Sequence, residues 1–75
     1  MTLKDQLKRD LKIHRYNLGH LAEIAEVHRS QISQYLNGNH TPTKRVAADL
    51  ARAATELTGV NYRSSHFIHN STLED

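Results

Sequence analysis

The chain has 75 residues, enough for one small domain, and carries 10 Lys and Arg against 8 Asp and Glu, a net charge of +2 with histidine neutral. Because it contains no cysteine, neither a disulfide nor a thiolate metal site can stabilise so small a core, and tight helix packing or self-association is expected instead. No segment reaches the roughly 18 apolar residues of a membrane span, and the N-terminus is too charged for a signal peptide, which predicts a cytoplasmic protein with no membrane partner.

The first predicted helix is marked by a leucine stripe. Leu3, Leu7 and Leu11 recur every four residues and therefore share one helix face. Thr2, followed by Asp5, resembles a capping box at the start of this helix. The excess of Lys and Arg over residues 1–16 is compatible with a polyanionic partner and equally with a solvated helix face.

The second helix is predicted over about residues 18–25. Asn17 is a suitable N-cap, and Tyr16 and Leu21 are spaced for a hydrophobic staple. The side chains expected to face inward are Leu21, Ala22, Ile24 and Ala25.

Two further helices follow. The third is predicted over about residues 29–36 and is ended by Asn37-Gly38, since glycine tolerates the left-handed conformation that closes helices. The fourth begins at Pro42-Thr43 and ends at Gly59. Its apolar face is predicted to contain Val46, Leu50, Ala53, Ala54 and Leu57. Residues 1–60 show no alternating strand pattern, so the class is all-α.

Residues 61–75 have a different composition, with Tyr62, Phe67 and Ile68 among Ser, His and Asn. Three conformations are compatible with this tail: a short helix capped by Asn61, an extended arm, or a partly disordered segment. A short ordered piece that packs and then frays is favoured, because apolar side chains on so small a chain need a surface to pack against.

Residues 21–36 have the features of a helix-turn-helix. Ala22 is small enough for a second helix to cross closely, and Val27, Ile32 and Tyr35 supply apolar anchors at the turn and along the inner side of that second helix. The remaining positions are polar and face outward, where such side chains can read the major groove of DNA.

The stretch LAEIAEVHRSQISQYLNGNHTPT resembles the Cro/C1-type, or Xre-type, helix-turn-helix family of phage and bacterial transcriptional regulators. The resemblance extends more loosely over residues 3–60. It implies a compact four- to five-helix, lambda-repressor-like domain over residues 1–60, followed by a short tail over residues 61–75. The matching positions are Leu21-Ala22, Val27, Ile32, Tyr35-Leu36, Asn37-Gly38 and Pro42.

The resemblance also implies which side chains contact double-stranded DNA. Four match positions that reach base edges: Arg29, Ser30, Ser33 and Gln34. Arg can bind guanine and Gln can bind adenine through paired hydrogen bonds. Seven others match positions near the DNA backbone, which orient the helix without specifying sequence: His28, Asn37, Asn39, His40, Thr43, Lys44 and Arg45. Gln31 is expected to point away from the centre of the groove.

Three positions depart from the family pattern. The family usually has glycine where Glu26 stands, and a left-handed conformation costs another residue about 1–2 kcal/mol, so the turn is expected to differ slightly. Leu18 replaces a glutamine that often contacts phosphate. Leu36 replaces an acidic residue that often pairs with the first helix, so packing is expected in place of that ion pair.

Other chemistries have weaker support. His66 and His69 would share a helix face, but no third metal ligand accompanies them. Ser30, Ser33 and His28 lack the orienting carboxylate of a catalytic triad. The sequence therefore predicts no enzyme, metal, cofactor or small-molecule ligand.

The alternative to DNA binding is a module that uses the helix-turn-helix scaffold to bind protein. Such a surface should expose large apolar or aromatic anchors, whereas residues 28–34 are mostly polar, which favours DNA.

A homodimer on a palindromic operator is expected, because a monomer reads too few base pairs to find one site in a genome. Repression is the favoured outcome by resemblance, and a phage Cro-like repressor, a restriction-modification controller and an antitoxin all remain compatible. The candidate dimer contacts, which would alternatively cover the chain's own core, are Leu57, Val60, Tyr62, Phe67 and Ile68.

Overall fold

The computed structural model describes residues 2–71 and contains five helices: α1 (Leu3–Ile13), α2 (Leu18–Ala25), α3 (Arg29–Leu36), α4 (Lys44–Thr58) and α5 (Ser64–His69). The predicted all-α class is confirmed. The longest helix, α4, packs against α1, α2 and α5, while α3 packs against α2. None of the helices in residues 2–71 has the length and apolar composition that a membrane crossing requires.

The first two helices begin at the predicted caps. The Thr2 hydroxyl accepts a hydrogen bond of 3.2 Å from the Asp5 backbone N–H. At the start of α2, the Asn17 side chain accepts from the His20 N–H, and His20 Nδ1 accepts from the Asn17 N–H, each at 3.1 Å. This reciprocal pair satisfies two N–H groups that have no partner inside the helix.

The predicted limits of α4 are confirmed within a residue or two. Thr43 is its N-cap, and the hydroxyl accepts from the Val46 N–H at 3.3 Å. The preceding Pro42 is buried. Gly59 ends the helix in the left-handed conformation with φ 74°, a region open to glycine because it has no Cβ.

The core contains the predicted leucine stripe of α1, since Leu3, Leu7 and Leu11 are all fully buried. The prediction that Ile24 faces inward is wrong, because this side chain is 45% exposed. Each helical residue is turned by about 100° from its neighbour, and α2 is oriented by its buried Leu21, Ala22 and Ala25.

The tail forms part of the same core. Tyr62 and Phe67 are buried, and the Tyr62 backbone and the Thr55 hydroxyl exchange hydrogen bonds of 3.0 and 3.3 Å. The short-helix alternative is therefore the observed one, but its predicted cap at Asn61 is wrong. The helix begins later, because the inward turn at Tyr62 places the cap at Arg63, whose N–H donates to His66 Nδ1 at 3.0 Å. Residues 72–75 of the predicted tail lie outside the described residues.

A buried polar contact joins the tail to α1. The Tyr62 hydroxyl donates to Asp10 Oδ2 at 2.6 Å, and both residues are buried. Burial, reinforced by the hydrogen bond to the Asp10 carboxylate, raises the pKa of the Tyr62 hydroxyl well above its usual value. The hydroxyl is therefore a stable donor at neutral pH.

Candidate nucleic-acid interface

The turn between α2 and α3 keeps a left-handed residue although glycine is absent. Glu26 has φ 59° and ψ 40°, and the following Val27 N–H donates to the Ala22 carbonyl at 3.0 Å. Ala22 itself is only 4% exposed at this crossing. Glu26, which stands where the family usually has glycine, therefore has the left-handed conformation and adds backbone strain to the turn.

Two buried side chains orient α3. Ile32 and Leu36 are 1% and 5% exposed, and they pack in the core. At about 100° per residue, Gln34 points nearly opposite to them, with Ser30 beside it. Leu36 contributes packing where the family often has an ion pair, as expected.

The four predicted base-reading residues divide between two parts of the α3 surface. Ser30 and Gln34 are exposed on the outward side, while Arg29 is exposed and Ser33 half-buried on the side nearer α1. Among the described residues, the side chains of Arg29, Ser30 and Gln34 make no hydrogen bond or ion pair, so their polar atoms are available to a ligand. Gln31 is also exposed, but its Oε1 accepts from the His28 N–H at 3.1 Å and so caps α3.

The predicted backbone-contacting residues are all exposed and lie at two helix starts and the loop between α3 and α4. His28 precedes α3, and Thr43, Lys44 and Arg45 surround the start of α4. Helix N-termini favour anions, because their N–H groups and dipoles point outward. The loop residues are Asn37, Asn39 and His40.

This loop folds back on α3. The backbone N–H groups of Asn39 and His40 donate to the Gln34 carbonyl at 2.9 and 3.4 Å. The Asn37 side chain accepts from Lys4 Nζ at 3.0 Å and donates to Ser33 Oγ at 3.5 Å. Asn37 therefore connects α1 to the flank of α3.

A basic cleft between α1 and α3 was not predicted. Its volume is about 420 Å³, and it is lined by four cationic side chains together with Tyr16 and Asn17. None of its lysines is among the site residues predicted from the sequence, although a four-residue spacing places them on one helix face. The cationic side chains are Lys4, Lys8, Lys12 and Arg29.

The positive charge of this cleft is not neutralised by ion pairs within residues 2–71. The ion pairs in that range join Arg9 to Asp10 at 3.5 Å and Arg52 to Asp49 at 3.0 Å. The lysines of α1 take part in neither. The cleft therefore concentrates positive charge beside α3, which favours a polyanionic partner.

Three of the five predicted dimer contacts are taken up by the chain's own core. Leu57, Tyr62 and Phe67 are at most 8% exposed, so they offer little surface to a second subunit in this fold. Val60 and Ile68 are half-buried and pack at the edge of the core. Their outer surfaces remain accessible.

Of the two histidines in the tail, His66 is engaged in contacts within the chain. His66 Nδ1 accepts from the Arg63 N–H, and the His66 ring meets the Tyr62 ring edge-on at 6.4 Å between centroids. In the described part of the chain, no three His, Asp or Glu side chains come together in the manner of a metal site.

Comparison with known proteins gives one match. A family model described as helix-turn-helix matches residues 16–54, more than half of the chain. The match includes α2 and α3 and most of α4, and it leaves α1 and α5 outside. Neither the curated proteins nor the solved structures contain a significant match.

Proposed function

We propose that this chain, which belongs to the Cro/C1-type helix-turn-helix family of DNA-binding regulators, is a repressor. In this proposal it binds a palindromic operator as a homodimer. The observation that carries this proposal is the exposed polar side of α3. Ile32 and Leu36 hold the helix against the core, while Ser30 and Gln34 face outward from a rigid support.

In the proposed complex, α3 lies in the major groove. Gln34 has the donor and acceptor that match adenine, and Arg29 has the paired donors that match guanine O6 and N7. Each such pair contributes about 1–3 kcal/mol of discrimination against the wrong base. Ser30 and Ser33 have shorter side chains and accept or donate single hydrogen bonds.

The positions around the starts of α3 and α4 are proposed to contact phosphates. Lys44 and Arg45 add charge beside the N-terminus of α4, and His28 precedes α3. These contacts determine how far α3 enters the groove without distinguishing base pairs. Asn37, Asn39, His40 and Thr43 are proposed to belong to the same set.

Dimerisation is supported by the size of the subunit. Half-sites one helical turn apart are separated by about 34 Å, and the chain is 27 Å across its two longer dimensions. Two copies therefore fit side by side on successive major grooves of one DNA face. The proposed contact between them uses Val60, which follows α4, and Ile68 on α5.

Repression is proposed from the family resemblance, and it would act through occupancy, because a dimer bound over a promoter would exclude polymerase. The bound dimer would control its target through its own concentration. Autoregulation suits a phage repressor, a restriction-modification controller and an antitoxin alike, and the neighbouring genes would distinguish these settings.

Selection of bound sequences from a random DNA pool tests the proposal. We expect an enriched palindrome whose half-site centres lie about 10 base pairs apart. An unenriched pool would contradict sequence-specific binding, whereas a single asymmetric half-site would contradict the dimer alone.

The alternative, a protein-binding module, has one observation in its favour. Ile13 and Ile24 are 70% and 45% exposed. These side chains lie on α1 and α2, whereas the exposed side of α3 is polar. A gel shift on mixed genomic DNA at two salt concentrations separates the two functions, since a protein-binding module would not retard DNA even at low salt.

A further inference from the structure

The cleft between α1 and α3 has the chemistry of a phosphate site. Lys4, Lys8 and Lys12 approach it from α1, and Arg29 approaches it from α3. Lysine ammonium groups are compact point charges that bind phosphate oxygens, and a guanidinium binds them through paired hydrogen bonds. The cleft therefore suits an anion with several oxygen atoms.

The same cleft is continuous with the proposed DNA-reading surface. Lys4 Nζ donates to Asn37 Oδ1 at 3.0 Å, and Asn37 contacts Ser33 on the flank of α3. Arg29 lies where the two surfaces meet; in the proposed complex its guanidinium binds guanine, and the lysines of α1 bind the phosphates. A DNA strand beside α3 would consequently pass close to the lysines of α1.

The length of the lysine row distinguishes a polymer from a single small anion. From Lys4 to Lys12 the helix rises about 12 Å, at about 1.5 Å per residue. One DNA strand carries a phosphate for about every 3.4 Å of its axis. The row is therefore long enough for successive phosphates of one strand.

We propose that this cleft holds backbone phosphates of the DNA strand that borders α3, so that α1 is a further DNA-contacting element outside the helix-turn-helix match at residues 16–54. The inference rests on the proposed function. The proposed phosphate contacts add affinity that does not depend on the DNA sequence, because phosphates are the same at every base pair.

The test replaces Lys8 and Lys12 by glutamine, singly and together, which removes charge and keeps most of the side-chain length. Arg52→Gln is the control, because it makes the same change of charge at an exposed position of α4 that pairs with Asp49. The affinities of all variants for the selected operator and a scrambled duplex are measured by fluorescence anisotropy over a range of salt concentrations. Thermal unfolding verifies that each variant is folded.

We expect the slope of log affinity against log salt to become shallower by about 0.9 for each lysine removed from each bound subunit, on both duplexes. The ratio of operator to scrambled affinity should stay at its wild-type value. A slope equal to that of Arg52→Gln would overturn the inference. A wild-type ratio of one would instead contradict the proposed function, and the slopes would still report on the cleft.

A free phosphate compound, rather than the DNA backbone, is the other ligand that could supply phosphate oxygens to this cleft. Inorganic pyrophosphate, added to the DNA-free protein, tests this source through the unfolding temperature. If pyrophosphate stabilises the wild type but not Lys8→Gln/Lys12→Gln, and the DNA slopes are unchanged, the cleft serves a free anion and the DNA assignment fails. If the slopes change and pyrophosphate has no effect, the assignment to DNA is supported.

Discussion

Glu26 has a backbone conformation that glycine adopts without strain. Its φ of 59° lies in the left-handed region, where the Cβ of other residues crowds the backbone. A residue with a Cβ there lowers stability at the turn that sets the angle between α2 and α3. This turn determines how far α3 projects from the domain.

Glu26→Gly is expected to raise the free energy of unfolding by about 1 kcal/mol, since relief of strain outweighs the greater entropy of an unfolded glycine. Urea denaturation measures the change. Glu23→Gly is the matched control, because Glu23 is exposed within α2, and there the same substitution should lower stability by about 0.5–1 kcal/mol. Equal effects at both positions would contradict the strain at Glu26.

Gln34→Ala should weaken binding to the selected operator by about 1–3 kcal/mol and relax the preference at one base pair in each half-site. Competition binding with single-base variants of the operator measures this. Lys44→Ala is the contrasting variant, because loss of its proposed phosphate contact should weaken all duplexes similarly and reduce the salt slope by about one. Equal losses on operator and random DNA for Gln34→Ala would count against base reading.

Among the elements, the tail packs on α4 and is also joined to α1 by a buried hydrogen bond. Tyr62 is buried and donates to Asp10 across 52 positions of the sequence. An aromatic residue that both fills the core and satisfies a buried carboxylate links the first and last parts of the described fold. This contact explains why the segment after Gly59 turns inward.

Tyr62→Phe should lower the free energy of unfolding by about 1.5–3 kcal/mol at neutral pH, because it leaves the buried Asp10 carboxylate without this donor. Asp10→Asn on the Tyr62→Phe background should recover part of the loss, since a neutral amide is less costly to bury. A loss confined to a few tenths of a kcal/mol would show that the hydrogen bond contributes little.

Alkaline pH provides an independent measurement. The pKa of the Tyr62 hydroxyl is raised in the folded chain, so as the pH rises the unfolded chain loses the hydroxyl proton before the folded chain does. The stability that this difference contributes is therefore fully present below about pH 10 and declines as the pH rises further. The wild type should therefore lose more stability between pH 9 and pH 11, roughly one unit on either side of the ordinary tyrosine pKa, than Tyr62→Phe. Parallel losses in the two proteins would contradict the shift.

For the whole molecule, burial of Tyr62 and Phe67 restricts how two copies can meet. These side chains stabilise the subunit itself, and the proposed dimer contact is left with the outer surfaces of Val60 and Ile68. Self-association is consequently expected to be moderate and coupled to DNA binding, since in the proposed complex each subunit alone would read only one half-site.

Ile68→Glu should weaken the proposed dimer by about 2 kcal/mol, roughly thirtyfold, because a charge would be buried in an apolar contact. Sedimentation equilibrium measures the dimer constant. Ile13→Glu is the control at an exposed position at the end of α1. If Ile13→Glu dissociates the dimer and Ile68→Glu does not, the interface lies at α1 instead.

Much of the local structure could be predicted because its causes lie within a few residues of one another. The bounds of α2 and α3 follow from Asn17, the turn at residues 26–28 and Asn37-Gly38. Hydrogen bonds between a cap and the third residue after it act over short distances, so the sequence displays both partners together. The outward face of α3 follows from the position of Ile32 and Leu36 in the same way.

Contacts between distant segments depended on the tertiary structure. The sequence by itself determined helices α1 to α4, the caps of α1 and α2 and the polar face of α3, because these follow from neighbouring residues. Packing alone decided that Ile24 faces solvent, that Tyr62 bonds to Asp10, and that the lysines of α1 face Arg29 across a cleft. No local pattern encodes how α1 and the tail lie against α3 and α4, since that arrangement results from filling one shared core.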